Sequence, residues 1–151
     1  MRPLPARLTD HQFHQRRTDL WSRLERSGDV TRATDDVLGS GRRLLHLEVT
    51  LPGWGLPAEA RLVFVERYAR RRGGWELTEY TYDYHREPRP SGRKAHHWHD
   101  GILHARCVDP RSPRTGAHFR DVQVDLLEAA DEFLAIHLRG EVDCSGLFPL
   151  T

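Results

Sequence analysis

Four histidines, His96, His97, His99 and His104, fall within the nine residues from 96 to 104, and Asp100 and Cys107 lie among or just beyond them. An imidazole titrates near neutral pH, so it can take or give a proton and, when neutral, bind a metal ion. A solvated surface run would be built from Lys, Arg or Glu, and a core segment would be apolar; this stretch is neither. On a β-strand His97 and His99 point to one face, and His96 and Trp98 to the other. Adding His104 and Cys107 gives H-x-H-x4-H-x2-C, a donor set suited to zinc. The candidate metal ligands are therefore His97, His99, His104 and Cys107, with zinc as the candidate cofactor.

The same residues suit metal-free acid–base chemistry. Cleaving RNA at its own 2′-hydroxyl needs a base for that proton, an acid for the leaving oxygen and a cation beside the phosphate. His97 and His99 are the candidate proton-transfer pair, with Tyr84 or His85 on the preceding strand as helpers. Arg93, Arg106 or Arg120 would hold the phosphate. The third reading is that these histidines are polar, inert residues on an exposed sheet face. Residue type and spacing leave all three open.

Two further groups carry the same ambiguity. Tyr80, Tyr82, Tyr84 and Trp98 form a candidate base-stacking surface, or a set of ordinary cross-strand aromatic pairs. Glu66 shares a strand face with Leu62 and Phe64, where an acid either has a partner inside a cleft or marks the solvent end of the strand. The arginines at 70, 71 and 72 read as a solvated hairpin tip.

The elements that must position these groups follow from periodicity. Thr9 and Gln12 have capping-box spacing, which predicts a helix over about 10–26 with Phe13, Leu20, Trp21 and Leu24 as its apolar stripe. Alternation of Leu45, Leu47, Val49 and Leu51 with His46, Glu48 and Thr50 predicts a half-buried strand. Further strands are expected over about 60–68, 75–85, 93–99, 102–108 and 119–124, with loops at 52–57, 87–92 and 109–116 and a tight turn at Asp100-Gly101. Asp125 and Gly140 bound a second helix over about 126–139. A tail from 140 to 151 carries Leu147, Phe148 and Leu150, which would pack back on the body. The expected class is α+β: one domain over 1–151, with an antiparallel meander over about 43–124 between an N-terminal and a C-terminal helix.

Composition narrows the class of function. With 151 residues the chain can bury a core without support from metal or disulfide. A formal net charge of +1 gives no global field for nucleic acid. Lys94 is the sole lysine, so nearly every cation is a planar guanidinium. No apolar run spans a bilayer and no signal peptide is evident, so a cytoplasmic location with reduced Cys107 and Cys144 is expected. The absence of a Gly-rich phosphate loop, nucleophile elbow or dinucleotide fingerprint disfavours nucleotide-cofactor enzymes.

The order of motifs also resembles a known family. Leu62-Val-Phe-Val-Glu-Arg-Tyr68, a Gly-containing hairpin, Glu79-Tyr-Thr-Tyr-Asp-Tyr-His85, a histidine-bearing strand ending in His-Asp, and a further histidine before a C-terminal helix are similar to the TumE-like toxins of bacterial toxin–antitoxin modules. The resemblance covers roughly residues 61–136. It implies a toxin acting on RNA or a related phosphodiester, an antitoxin as partner, and functional roles for Glu66, Tyr82, His85, His97, His99, Asp100 and His118. His-His-Trp-His-Asp-Gly stands here where that family has R-Y-D-N-A-P-H-H. The competing expectations are a non-catalytic subunit that binds a partner protein and a metal-dependent enzyme acting on a small molecule.

Overall fold

In a computed structural model, the chain is described over residues 7–52, 59–87, 92–109, 118–145 and 147–148, with backbone alone at 35, 36 and 87. Most of the three expected loops, and Leu150 of the tail, lie outside these residues. Helix α1 spans Asp10–Glu25 and opens with the expected capping box, in which the Thr9 hydroxyl accepts from the Gln12 N–H and the Gln12 side chain accepts from the Thr9 N–H. Seven strands follow: β1 (Asp29–Leu38), β2 (Arg42–Leu51), β3 (Glu59–Arg71), β4 (Gly74–Glu87), β5 (Gly92–His99), β6 (Ile102–Val108) and β7 (His118–Arg120). Helix α2 spans Leu126–Arg139; the Asp125 side chain caps its start, and Gly140 ends it in the left-handed conformation at φ 74°.

Every strand pairs antiparallel with its chain neighbour, so the sheet order is β1-β2-β3-β4-β5-β6-β7. The result is the expected α+β meander between two helices. Both helices cover one face of it. Phe13 of α1 meets Tyr68 edge-on at 4.9 Å, and Phe133 of α2 lies 5.9 Å from Phe64. The buried face of the sheet presents Leu45, Leu47, Val49, Leu62, Phe64, Tyr80, Tyr82, Tyr84 and Phe119 to Leu20, Leu24, Leu126 and Ile136. Each fully buried Leu or Phe contributes roughly 1.5–3 kcal/mol of transfer free energy, so this single layer dominates stability. Among the described residues no element packs on the opposite face.

Three differences from the expected elements have physical reasons. Strand β1 was not expected, because Asp29–Leu38 has no buried side chain among its described residues and hence no burial-driven alternation. It is an edge strand defined by its pairing to β2, from Asp29↔Thr50 to Leu38↔Arg42, and it moves the sheet's start from 43 to 29. The last strand ends at Arg120 rather than about 124, because residues 121–125 run irregularly into the α2 cap. Finally, Cys107 and Cys144 are not reduced thiols: they form a disulfide with Cα atoms 5.8 Å apart. Cys107 sits on the helix side of β6, fully buried, and the C-terminal tail returns Cys144 to it. The backbone of Arg120 also donates to the carbonyl of Phe148, 2.8 Å away, so the tail packs back as expected.

Candidate functional site

The Asp100-Gly101 turn sets the register of the histidine strands. Both residues have positive φ, 53° and 74°, the geometry of a two-residue type I′ hairpin. With the turn so fixed, His99 lies opposite Ile102 and His97 opposite His104. Side chains paired across antiparallel strands share a face, so rows of neighbours can be followed across the sheet. One row on the open face runs Thr81, His97, His104, Arg120, and the next runs Asp83, Ala95, Arg106, His118.

Four imidazoles therefore gather on the open face. His97 and His104 rings meet edge-on at 4.9 Å, His99 and His104 at 4.7 Å, and His104 and His118 lie 5.5 Å apart. The Nε2 atoms of His99 and His104 are 2.7 Å apart, one donating and the other accepting. His97, His99 and His104 each offer a nitrogen within 4.8 Å of the other two. His97 Nε2 and His104 Nδ1 are buried and have no hydrogen-bond partner. Burial, then the neighbouring His104, pushes the His97 pKa down to about 4. Burial, then His99 and His118, also lowers that of His104. At neutral pH these two rings are uncharged bases or ligands, and poor proton donors.

The cations around this cluster divide into two kinds. Arg93 makes a two-pronged contact with Asp83, with Nε to Oδ1 at 3.1 Å and Nη2 to Oδ2 at 2.6 Å, so it is committed to a carboxylate. Arg106 and Arg120 make no ion pair with any described residue, and the buried Nε of Arg106 has no acceptor. A recess of about 140 Å³ adjoins the cluster, lined by Val65, Thr81, Trp98 and His99 among others. A larger cavity of about 630 Å³ lies toward β2 and β3, but two of the arginines lining it face acids of their own: Arg43 bonds Asp10 at 3.2 Å and Arg67 lies 3.7 Å from Glu79.

The other expected site residues lie elsewhere. Asp100 is exposed in the turn and reaches His99 Nδ1 at 3.4 Å. His85 is on the open face but pairs with Arg93, four residues along β4 from Thr81, or about 13 Å at strand rise. Glu66, Tyr82 and Tyr84 are on the helix side, each at 0% exposure. Glu66 receives Arg16 through Nε at 2.9 Å and Nη2 at 2.8 Å, and the hydroxyls of Tyr68 and Tyr82. Tyr84 bonds His137 Nδ1 at 3.0 Å. These buried tyrosines present no face for a base to stack on, which corrects their expected binding role. Cys107 is likewise no metal ligand, because its sulfur is bonded to Cys144 on the far side of the sheet.

Three acids in this region carried no sequence signal. Asp83 neutralises Arg93. Asp121 binds His96 Nδ1 at 2.7 Å while Glu132 binds its Nε2 at 2.9 Å, tying β5 to α2 beneath the cluster. Contacts between residues 10 to 36 positions apart leave no local pattern to read. Among the described residues no helix is long and apolar enough to cross a membrane. No protein-family model, curated protein or solved structure matches the chain.

Proposed function

We propose that the open face around His97, His99, His104 and His118 cleaves phosphodiester bonds in RNA, in the manner of a toxin held in check by an antitoxin. One observation carries this reading: adjacent cross-strand rows set two guanidiniums without acid partners among the described residues, Arg106 and Arg120, beside His118 and His104. An unpaired guanidinium with a buried donor is a site for a phosphate oxygen. Uncharged imidazoles next to it supply the base.

The chemistry follows from those positions. Arg106 and Arg120 hold the two non-bridging oxygens of the phosphate and offset the charge that builds on them in the transition state. A neutral centre in the His97–His99–His104 cluster takes the proton of the 2′-hydroxyl. The 2′-oxygen attacks phosphorus, the bond to the 5′-oxygen breaks, and exposed His118 gives that oxygen a proton. The products are a 2′,3′-cyclic phosphate and a free 5′-hydroxyl. Trp98 packs on the helix side, 5.9 Å from Tyr80, so it is not placed on this face to stack on a base.

The test is direct. Purified protein is incubated with single-stranded RNA and with the same sequence bearing 2′-deoxyribose at one position. Cleavage at ribose only, with a cyclic phosphate on the product, supports the reading. Intact RNA under all conditions removes it and favours a non-catalytic, partner-binding subunit.

A further inference from the structure

We infer that His97, His99 and His104 form a three-histidine centre for one divalent transition-metal ion of the zinc type, with its remaining coordination position open to solvent. The inference deepens the proposed reactive face by naming what the cluster holds. It rests on geometry that hydrogen bonding within the protein leaves incomplete.

Three nitrogen donors already converge within 4.8 Å of one another on rigid strands joined by a tight turn. A tetrahedral zinc with Zn–N distances of about 2.0–2.1 Å requires its ligand nitrogens roughly 3.3 Å apart. The His99–His104 pair at 2.7 Å is closer than that, and His97 offers a nitrogen within 4.8 Å of both. Small side-chain rotations bring the set to the required spacing. The ion then takes the place of the proton shared by His99 and His104, and it also satisfies the buried His97 Nε2, which otherwise has no partner.

Donor chemistry selects the metal. Three imidazoles with no carboxylate in the set suit zinc and its first-row neighbours, and exclude magnesium and calcium, which require oxygen. Asp100 Oδ2 is 3.4 Å from His99 Nδ1, where an acceptor holds the proton on Nδ1 and leaves Nε2 free to ligate. With three protein ligands and the open face above, the fourth position goes to water or substrate, the pattern of catalytic rather than structural zinc. Such an ion would lower the pKa of its water toward neutrality, and the bound hydroxide would replace a free imidazole as the base.

The full-length protein, stripped with chelator and dialysed, is titrated with Zn²⁺ by calorimetry and with Co²⁺ by visible absorption, without RNA. The expected result is one equivalent bound, with the intense absorption of four-coordinate cobalt. His97→Ala, His99→Ala and His104→Ala should each weaken binding by more than the roughly 10–100-fold that loss of an outer-shell partner costs. His99 is 47% exposed, so its variant keeps the fold and remains informative if the two more buried ones do not. His11→Ala, on exposed α1, should bind like the wild type. No stoichiometric binding, or binding unchanged in His99→Ala, overturns the inference. RNA cleavage that persists in chelator would overturn the metal and keep the nuclease. Metal bound at one equivalent with RNA left intact would do the reverse.

Discussion

Arg16 and Glu66 form a closed ion pair inside the protein, 50 residues apart in sequence and on the side of the sheet away from the histidines. Glu66 is at 0% exposure, and Arg16 also reaches Asp125 Oδ1 at 3.0 Å. One guanidinium thus ties α1 to both β3 and the cap of α2. Burial together with the Glu66 charge pushes the Tyr68 and Tyr82 hydroxyls well above their ordinary range, so both remain protonated donors to the carboxylate. Removing the guanidinium leaves a buried charge held by two phenols alone. Arg16→Ala should therefore lower unfolding free energy by about 3–5 kcal/mol. Urea denaturation reads this, and a loss under about 1 kcal/mol, the level of an exposed pair, would show that the pair is not a keystone.

The disulfide makes a separate claim on stability. It closes a 37-residue separation and fastens the tail against β6. Replacing Cys107 and Cys144 together with Ala should cost about 2–4 kcal/mol, mainly by freeing the unfolded chain. Treating the wild type with a strong dithiol reductant should lower its melting temperature in the same direction. Zinc affinity should not change, since neither sulfur faces the histidines. A fall in affinity matching that of His99→Ala would put Cys107 back among the ligands.

His96 gives a pH signature on the alkaline side. Burial alone would lower its pKa, but hydrogen bonds from the ring to Asp121 and Glu132 outweigh that and raise it to about 9. The folded protein therefore holds a proton that the unfolded chain, titrating near 6.5, releases. The stabilisation is complete below about pH 6.5 and is lost as pH rises toward 9, because over that window the native state binds more protons. His96→Gln should be less stable than the wild type at pH 6 and should show a flatter decline between pH 7 and 9. Parallel stability curves for the two proteins would contradict the charged clamp.

Much of the scaffold was legible because local rules decided it. Thr9 with Gln12, Asp125 and Gly140 mark helix ends through bonds made within one turn. Alternation separated Tyr80, Tyr82 and Tyr84 from Thr81, Asp83 and His85 because one face is buried and the other is not. Asp100-Gly101 placed His97 opposite His104 because a type I′ turn fixes register. What could not be read was long-range or lacked burial. β1 is an exposed edge without an apolar face. Glu66 was singled out, but its partner Arg16 comes from another element. Arg93 looked like a phosphate ligand until β4 supplied Asp83. Cys144 lies in a tail whose return path has no periodicity.

Arg106 and Arg120, without an acid partner among the described residues, give the proposed nuclease an electrostatic test. RNA affinity should fall as salt rises, because each guanidinium–phosphate contact releases a counterion. Arg120→Ala and Arg106→Ala should each reduce the salt slope by about one contact, while Arg93→Ala, whose charge Asp83 already occupies, should change it less. Equal slopes in all four proteins would remove these arginines from the RNA-binding surface.

Cleavage of RNA by the open histidine face is measured by single-turnover assays of His99→Ala and His118→Ala beside the wild type. Both side chains are exposed, so both variants should fold and melt like the parent. The wild type should convert ribose-containing RNA to a 2′,3′-cyclic phosphate, and each variant should be slower by about 10²–10⁴-fold, the range for loss of an acid–base group. Full wild-type rates in both variants, or a wild type that leaves RNA intact, would contradict it.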